Sequence, residues 1–306
     1  YLNNLIKINF IFSHKFASKK IDVKKNLLRS LSEDKVKQII KKTGPKFLRH
    51  AFKNENTLTL AIEAFRKIKN KEEIKKKIKN VIFVTETPVN IFPGNAVMFS
   101  SKLNLNENLN LIDLNSGCTG FVDAIKIATN LDGATLIICS ETYSKYFKDF
   151  NRSISTIFSD CASIFFYQNS FKIIKQSSGF EKNTHNYLIG YNKNELYMNG
   201  SKVYSFVTSK VVPNLENFIA KTSNHKISKI YIHQASRLVI NTFKEKIKSY
   251  NIDFPSNLTK YGNTNASTIA LLFEDDLRNK KLKKGDKIIL CGFGVGLSFS
   301  IVLIEI

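Results

Sequence analysis

Cys118, His233 and Asn263 each stand where an apolar run gives way to small or polar residues. Cys118 lies in Asn115-Ser116-Gly117-Cys118-Thr119-Gly120-Phe121, after the apolar segment Leu109 to Leu114. It is followed by Phe121-Val122-Asp123-Ala124-Ile125-Lys126-Ile127-Ala128, whose apolar positions recur at helical spacing. The thiol is therefore expected in the first turn of a helix, where unpaired N–H groups and a partial positive charge favour thiolate, the nucleophilic form. His233 follows Lys229-Ile230-Tyr231-Ile232 and opens His233-Gln234-Ala235-Ser236. Asn263 lies in Tyr261-Gly262-Asn263-Thr264-Asn265-Ala266-Ser267. Taken singly, each has an ordinary structural reading: an inert buried thiol, a hydrogen-bonded core imidazole and a turn amide. A fourth feature, Gly292-Phe293-Gly294-Val295-Gly296, reads as a tight turn between two strands. It lacks the strand–turn–helix context and downstream acid of a dinucleotide site.

The elements that must position these groups alternate in type, which argues an α/β protein. Strands are predicted at Val81–Thr85, Leu109–Leu114, Thr135–Ser140, Ala162–Tyr167, Lys229–His233, Lys287–Leu290 and Leu297–Glu305. Helices are predicted at Glu33–Lys42, Leu58–Lys69, Thr119–Leu131, Val203–Ala220, Ser236–Ser249 and Ala266–Asn279. The order helix, strand, small-residue turn, helix, strand, strand occurs twice, with Cys118 at the turn of the first copy and Asn263 at that of the second. This predicts two duplicated halves, 1–168 and 169–306.

The chain of 306 residues can bury a large core. Its four cysteines, Cys118, Cys139, Cys161 and Cys291, form no CxxC pair, and its five histidines lack metal-ligand spacing. Neither a disulfide framework nor a zinc site is expected, and a reducing, cytoplasmic compartment is. No apolar run approaches the roughly 20 residues needed to cross a bilayer, so no membrane association is expected. The opening stretch, Tyr1 to Phe12, alternates as a strand does rather than as a signal peptide. Net charge is +22, mostly from lysine, with a peak at Lys67 to Lys79 that Glu72, Glu73 and Ile74 interrupt, as on a solvated helix. With no nucleic-acid-binding motif present, this surface suits an acidic protein partner or an anionic substrate, not a nucleic acid.

Together and in this order, Ser116-Gly117-Cys118-Thr119-Gly120-Phe121, His233-Gln234-Ala235-Ser236, Tyr261-Gly262-Asn263-Thr264 and Gly292 to Gly296 resemble the β-ketoacyl-ACP synthase III family of the thiolase superfamily. Thr43-Gly44, Phe92-Pro93-Gly94, Arg152 through Phe158-Ser159-Asp160 and Leu196-Tyr197-Met198-Asn199-Gly200 extend the resemblance over nearly the whole chain. It implies a five-layered αβαβα thiolase fold, a homodimer, and no metal or bound cofactor. It also implies a Cys-His-Asn triad: Cys118 accepts an acyl group from acyl-CoA or acyl-ACP, and His233 and Asn263 assist decarboxylative condensation with malonyl-ACP. By the same analogy the Cys118 N–H and the loop around Gly294 and Gly296 form the oxyanion hole. Gln38, Lys42, Phe92, Arg152, Met198, Gly200 and Ser236 fall at substrate-binding positions.

Three of these depart from the family pattern: Gln38 replaces an adenine-stacking Trp, Lys42 a phosphate-binding Arg, and Ser236 the Asn of His-Gln-Ala-Asn. The changes favour an acyl carrier protein over free CoA as donor, and a specialised pathway over housekeeping fatty-acid initiation. Glu86, in Phe83-Val84-Thr85-Glu86-Thr87-Pro88, resembles the general-base Glu of hydroxymethylglutaryl-CoA synthase, a sister family. Its plain alternative is an exposed strand-end carboxylate. Three functions therefore stand. One is a decarboxylating condensing enzyme. Another is a member redirected to acyl transfer onto an alcohol, amine or sugar, or to non-decarboxylative condensation through Glu86. The third is a non-catalytic carrier-binding partner.

Overall fold

The computed structural model describes residues 10–147, 151–191 and 195–306, without the side chains of Arg152 and Tyr191. Of the opening stretch read as strand-like, 1–9 lie outside the described residues, and Phe10 begins a strand. In chain order the strands are β1 (Phe10–Phe16), β2 (Lys19–Asp22), β3 (Phe47–His50), β4 (Ile78–Val84), β5 (Asn110–Leu114), β6 (Ala134–Glu141) and β7 (Cys161–Tyr167). They continue as β8 (Lys172–Phe180), β9 (Leu188–Tyr191), β10 (Glu195–Met198), β11 (Ile227–Ile232), β12 (Lys287–Gly294) and β13 (Ser298–Glu305).

Two large mixed sheets carry the fold. The first runs β1-β7-β6-β4-β5 and the second β8-β13-β12-β11. From β1 inward the pairings are antiparallel, antiparallel and parallel. From β8 inward the same sequence of pairings occurs. Among the described residues only the first sheet has a further strand, β5, which pairs in parallel with β4 and leaves an edge. Apolar residues sit on both faces of these strands, as expected of sheets covered on both sides. Ile82 and Val84 of β4 face one core while Val81 and Phe83 face another. On β12, Ile288 and Leu290 share the core of Ile82, and Ile289, Cys291 and Phe293 pack into a third.

The shared core lies between the sheets and is filled by two helices, Gly120–Ala128 and Ser267–Arg278. Phe121, Val122 and Ile125 of one and Ile269, Ala270 and Phe273 of the other are buried there. The outer core of the first sheet takes the helix Thr57–Arg66. That of the second takes the helical run Gly200–Ala220 and the helix Arg237–Ile247. The two inner helices both begin at the small-residue turns that carry Cys118 and Asn263. This arrangement points both turns toward the junction of the sheets.

All seven predicted strands and all six predicted helices form, with shifted ends. The helix predicted to Leu131 stops at Ala128, and that predicted to Lys69 stops at Arg66. The strands β8 and β9–β10 and the small pair β2–β3 were not expected. The glycine-rich segment is a turn between antiparallel strands, as predicted: β12 passes through Val295–Leu297 into β13. All four cysteines are buried and free. Among the described residues no helix is long and apolar enough to cross a membrane, and no cluster of three or more His, Cys, Asp or Glu could hold a metal.

Candidate active site

Cys118 occupies the single tight turn Gly117–Thr119 that leads into the helix Gly120–Ala128. Two glycines make its position possible. A Cβ on Gly117, where φ is +46°, would meet the Glu86 carboxylate at 2.5 Å. A Cβ on Gly294 would meet Cys118 Sγ at 2.7 Å. The end of β12 therefore lies directly against the thiol because it has no side chain there.

His233 continues the β11–β12 pairing, its N–H donating to Cys291 O at 2.9 Å. Its Nδ1 is 2.8 Å from Thr268 Oγ1, on the inner helix that follows Asn263. Burial holds the imidazole pKa down to about 3, so the ring is neutral. Asn263 is clamped by its backbone, which donates to Ile157 O at 2.9 Å and accepts from Ser159 N at 2.8 Å. Its Oδ1 accepts the Asn265 N–H at 2.8 Å, which leaves its Nδ2 as the free donor. Cys118, His233 and Asn263 line one cavity of about 120 Å³, with apolar walls that include Phe158, Met198, Val203 and Phe293. Gly200, Ser236 and Gly294 line the same cavity. Ser236 also caps the helix Arg237–Ile247 by accepting from Val239 N at 3.3 Å.

The electrostatics of the thiol reverse the expectation drawn from its helix start. Burial pushes the Cys118 pKa well above the usual thiol range, and the Glu86 carboxylate pushes it further. The backbone N–H groups of Val295 and of Cys118 itself pull the other way but are outweighed. The reason is local: two backbone N–H groups, one from each of two turns, reach the sulfur, whereas the fold buries it and places a carboxyl close by. The Cys118 thiol donates to Asn265 Oδ1 at 2.9 Å, and Asn265 Nδ2 donates to Glu86 Oε2 at 3.2 Å. Tyr143 O–H also donates to Glu86 Oε2. Glu86 is thus a member of the site and not an exposed strand end. Behind it, the buried Glu141 accepts from Glu86 N at 2.9 Å and from Thr87 Oγ1 at 2.7 Å. Desolvation raises the pKa of both carboxyls.

The other expected residues scatter. Within the glycine loop the backbone group that hydrogen-bonds the sulfur is that of Val295, flanked by Gly294 and Gly296; Gly296 faces a separate cavity. Phe92 is 84% exposed on a loop. Gln38 and Lys42 are exposed on the helix Glu33–Thr43 and line neither cavity. Arg152 opens a short helix, Arg152–Ser155, and its side chain lies outside the described residues. Asn265 and Tyr143 were missed. Asn265 carried a signal, being a second amide in the Asn263 motif; Tyr143, two residues past Glu141, carried none.

Known proteins share this architecture. The family described as 3-oxoacyl-[acyl-carrier-protein (ACP)] synthase III matches residues 112–178, and its C-terminal counterpart matches residues 219–306. The β-ketoacyl-[acyl-carrier-protein] synthase III of Prochlorococcus marinus (strain MIT 9515) is 30% identical over 252 residues, covering 74% of this chain and 75% of that protein. That of Clostridium perfringens (strain SM101 / Type A) is 29% identical over 278 residues, covering 83% and 86%. A crystal structure of a 3-oxoacyl-(acyl-carrier-protein) synthase III superposes with a TM-score of 0.86 at 25% identity, covering 97% of this chain and 98% of that one. An inner helix that starts at a buried cysteine, a histidine and an asparagine on the same cavity, and this similarity along the chain lead to one assignment: the chain belongs to the 3-oxoacyl-[acyl-carrier-protein] synthase III family of condensing enzymes.

Proposed function

We propose that the chain is a β-ketoacyl-ACP synthase III-type acyltransferase. It moves an acyl group from a thioester donor to Cys118, then condenses it with malonyl-ACP to give 3-oxoacyl-ACP. The observation that carries this reading is the single narrow cavity shared by Cys118, His233 and Asn263. Its apolar walls suit a pantetheine arm that delivers both thioesters to one point. In the first half-reaction the sulfur attacks the donor carbonyl, and the oxyanion meets the N–H groups of Cys118 and Val295. The donor thiol leaves with the proton that Cys118 gives up.

In the second half-reaction the malonyl C–CO₂ bond breaks and its electrons move onto the thioester. The free Nδ2 of Asn263 is one donor for that developing charge, and the neutral His233 on the same cavity wall is the other group that meets it. Thr268 Oγ1 lies 2.8 Å from His233 Nδ1 and donates its own proton to Asn265 O at 3.0 Å. The carbanion then attacks the acyl carbonyl, the C–S bond to Cys118 breaks, and the departing thiolate takes a proton from water to restore the thiol. No metal or bound cofactor enters these steps.

The two duplicated halves, 1–168 and 169–306, and the five-layered αβαβα arrangement are supported by the matching strand orders and the three cores. A homodimer is supported by the exposed Ile91 and Phe92 and by the free edge of β5. The free cysteines fit a cytoplasmic setting, and the basic surface fits an acidic carrier protein. Release of CO₂ from malonyl-ACP, in step with formation of 3-oxoacyl-ACP and only after Cys118 has been acylated, tests the reading. Acylation of Cys118 without CO₂ release from malonyl-ACP would refute the condensation step.

A further inference from the structure

Asn265 is the residue on which the contacts of the site converge. It is buried, and its backbone stands at φ +54°, a left-handed conformation that asparagine tolerates better than most residues with a side chain. Held so, its N–H donates to Asn263 Oδ1 at 2.8 Å and its C=O accepts from Thr268 Oγ1 at 3.0 Å. Thr268 Oγ1 lies in turn 2.8 Å from His233 Nδ1. The Asn265 side chain spans the remaining two groups. Cys118 Sγ donates to its Oδ1 at 2.9 Å, and its Nδ2 donates to Glu86 Oε2 at 3.2 Å. One residue therefore reaches the sulfur and Asn263 directly, and His233 through Thr268.

A primary amide has two unlike ends, one that only accepts and one that only donates. Glu86 Oε2 also receives the Tyr143 hydroxyl, so it is an accepting oxygen and takes the Nδ2 end of Asn265. The Oδ1 end is then left for the sulfur, where it can meet a thiol but not a thiolate. The N–H groups of Val295 and Cys118 favour the thiolate at the same atom. Glu86 thus sets the direction of the amide, and the consequence is felt at Cys118. Three other ionisable side chains stand around the pair: Tyr143 on Glu86 Oε2, Glu141 on Glu86 N, and His233 on the narrow cavity. Burial keeps Tyr143 protonated and His233 neutral between about pH 6 and 10.

We propose that Asn265 is a positioning residue for acyl transfer: its amide holds the resting Cys118 as a thiol and makes that hold depend on the protonation of Glu86. The inference rests on the reading of Cys118 as the acyl carrier. While Glu86 is a carboxylate, the amide keeps Oδ1 on the sulfur, and Cys118 keeps its proton. When Glu86 is protonated, its hydroxyl can serve Oδ1, the amide turns over, and Nδ2 faces the sulfur and supports the thiolate. Glu86 gains one proton and Cys118 loses one, both by exchange with water, so the pair carries the same charge before and after. The thiol is thereby quiet at rest and becomes a nucleophile without a cation beside it.

Glycine separates the side chain from the backbone here, because it adopts this φ freely and keeps the N–H and C=O contacts. The full-length protein, Asn265→Gly, Glu86→Gln and the double variant are alkylated with iodoacetamide from about pH 6 to 10, and Cys118 is scored by peptide mass. Rates are compared only where the buried Cys139, Cys161 and Cys291 stay unmodified. Asn265→Gly should alkylate roughly three- to tenfold faster near pH 8, the effect of one lost hydrogen bond, with its pH midpoint lowered. Adding Glu86→Gln to it should then change the rate by less than about twofold. Asn265→Asp, which offers acceptors alone, should react at least roughly threefold more slowly than the parent. An unchanged or slower rate in Asn265→Gly, a faster one in Asn265→Asp, or effects of Asn265→Gly and Glu86→Gln that simply multiply would overturn the proposal. Alkylation needs no acyl donor, so a parent that follows this pattern yet takes no acyl mass from acyl-CoA or acyl-ACP would overturn Cys118 as acyl carrier and leave the hold on its thiol standing.

Discussion

At Cys118 two influences oppose each other. Two backbone N–H groups stabilise the thiolate, while burial and Glu86 stabilise the thiol, and the second pair prevails. Glu86→Gln removes a negative charge and should lower the thiol pKa. Alkylation of Cys118 by iodoacetamide should then be roughly three- to tenfold faster at a fixed pH near 8. An unchanged rate would mean that Glu86 is neutral in the resting protein. In the proposed mechanism Asn263 divides the two half-reactions, because the amide nitrogen left free by its Oδ1 bond serves condensation whereas backbone groups hold the acyl oxyanion. Asn263→Ala should leave acylation within roughly twofold and reduce condensation by about 10²–10³, the usual cost of a lost oxyanion donor. Condensation at the parental rate would remove Asn263 from the mechanism. For His233, a pKa near 3 means a neutral ring throughout pH 5–8, which its ¹⁵N NMR shifts should show. An imidazolium signal at pH 5 would contradict the burial argument.

At the scale of elements, the site depends on backbone approach as much as on side chains. Gly294 ends β12 against the sulfur. Gly294→Ala places a methyl group where the thiol stands, an overpacking that costs about 1–3 kcal/mol. Acylation should fall more than roughly tenfold while circular dichroism still reports a folded protein; parental acylation would show that the turn can shift aside. Much of this layout was legible in the sequence. The strands carrying Ile82, Ile137, Ile164, Ile230 and Ile289 are short apolar runs bounded by turn residues, and the inner helices follow small-residue turns. What was not legible lacks that contrast. β8 is only half buried and reads as polar, and β9–β10 is a surface hairpin. The sequence could rank Cys118, His233 and Asn263 by their motifs. It could not show that burial and the Glu86 carboxylate outweigh the N–H groups at the thiol, since that depends on how β4 and the Cys118 turn meet. Asn265 escaped for the same reason: its role arises only when Cys118 and Glu86 come together in space.

Over the whole molecule, surface chemistry and interior chemistry diverge. The exterior is strongly basic, with net charge +22, while the site carries the part-buried Glu86 and the buried Glu141. The proposed acidic carrier protein would meet the first. Ile91 and Phe92 are 88% and 84% exposed, an unfavourable state for side chains of that size unless a second copy covers them. The protein should sediment as a dimer, and Ile91→Asp with Phe92→Asp should shift it to monomer at micromolar concentration. A parent protein that is monomeric at that concentration would contradict this.

The account turns on Cys118 as acyl carrier, and intact mass spectrometry reads that state most directly. After incubation with short-chain acyl-CoA and acyl-ACP donors, the protein should gain one acyl mass, mapped by peptide analysis to Cys118 and absent from Cys118→Ala. No adduct from any donor, or an adduct of equal yield in Cys118→Ala, would contradict it.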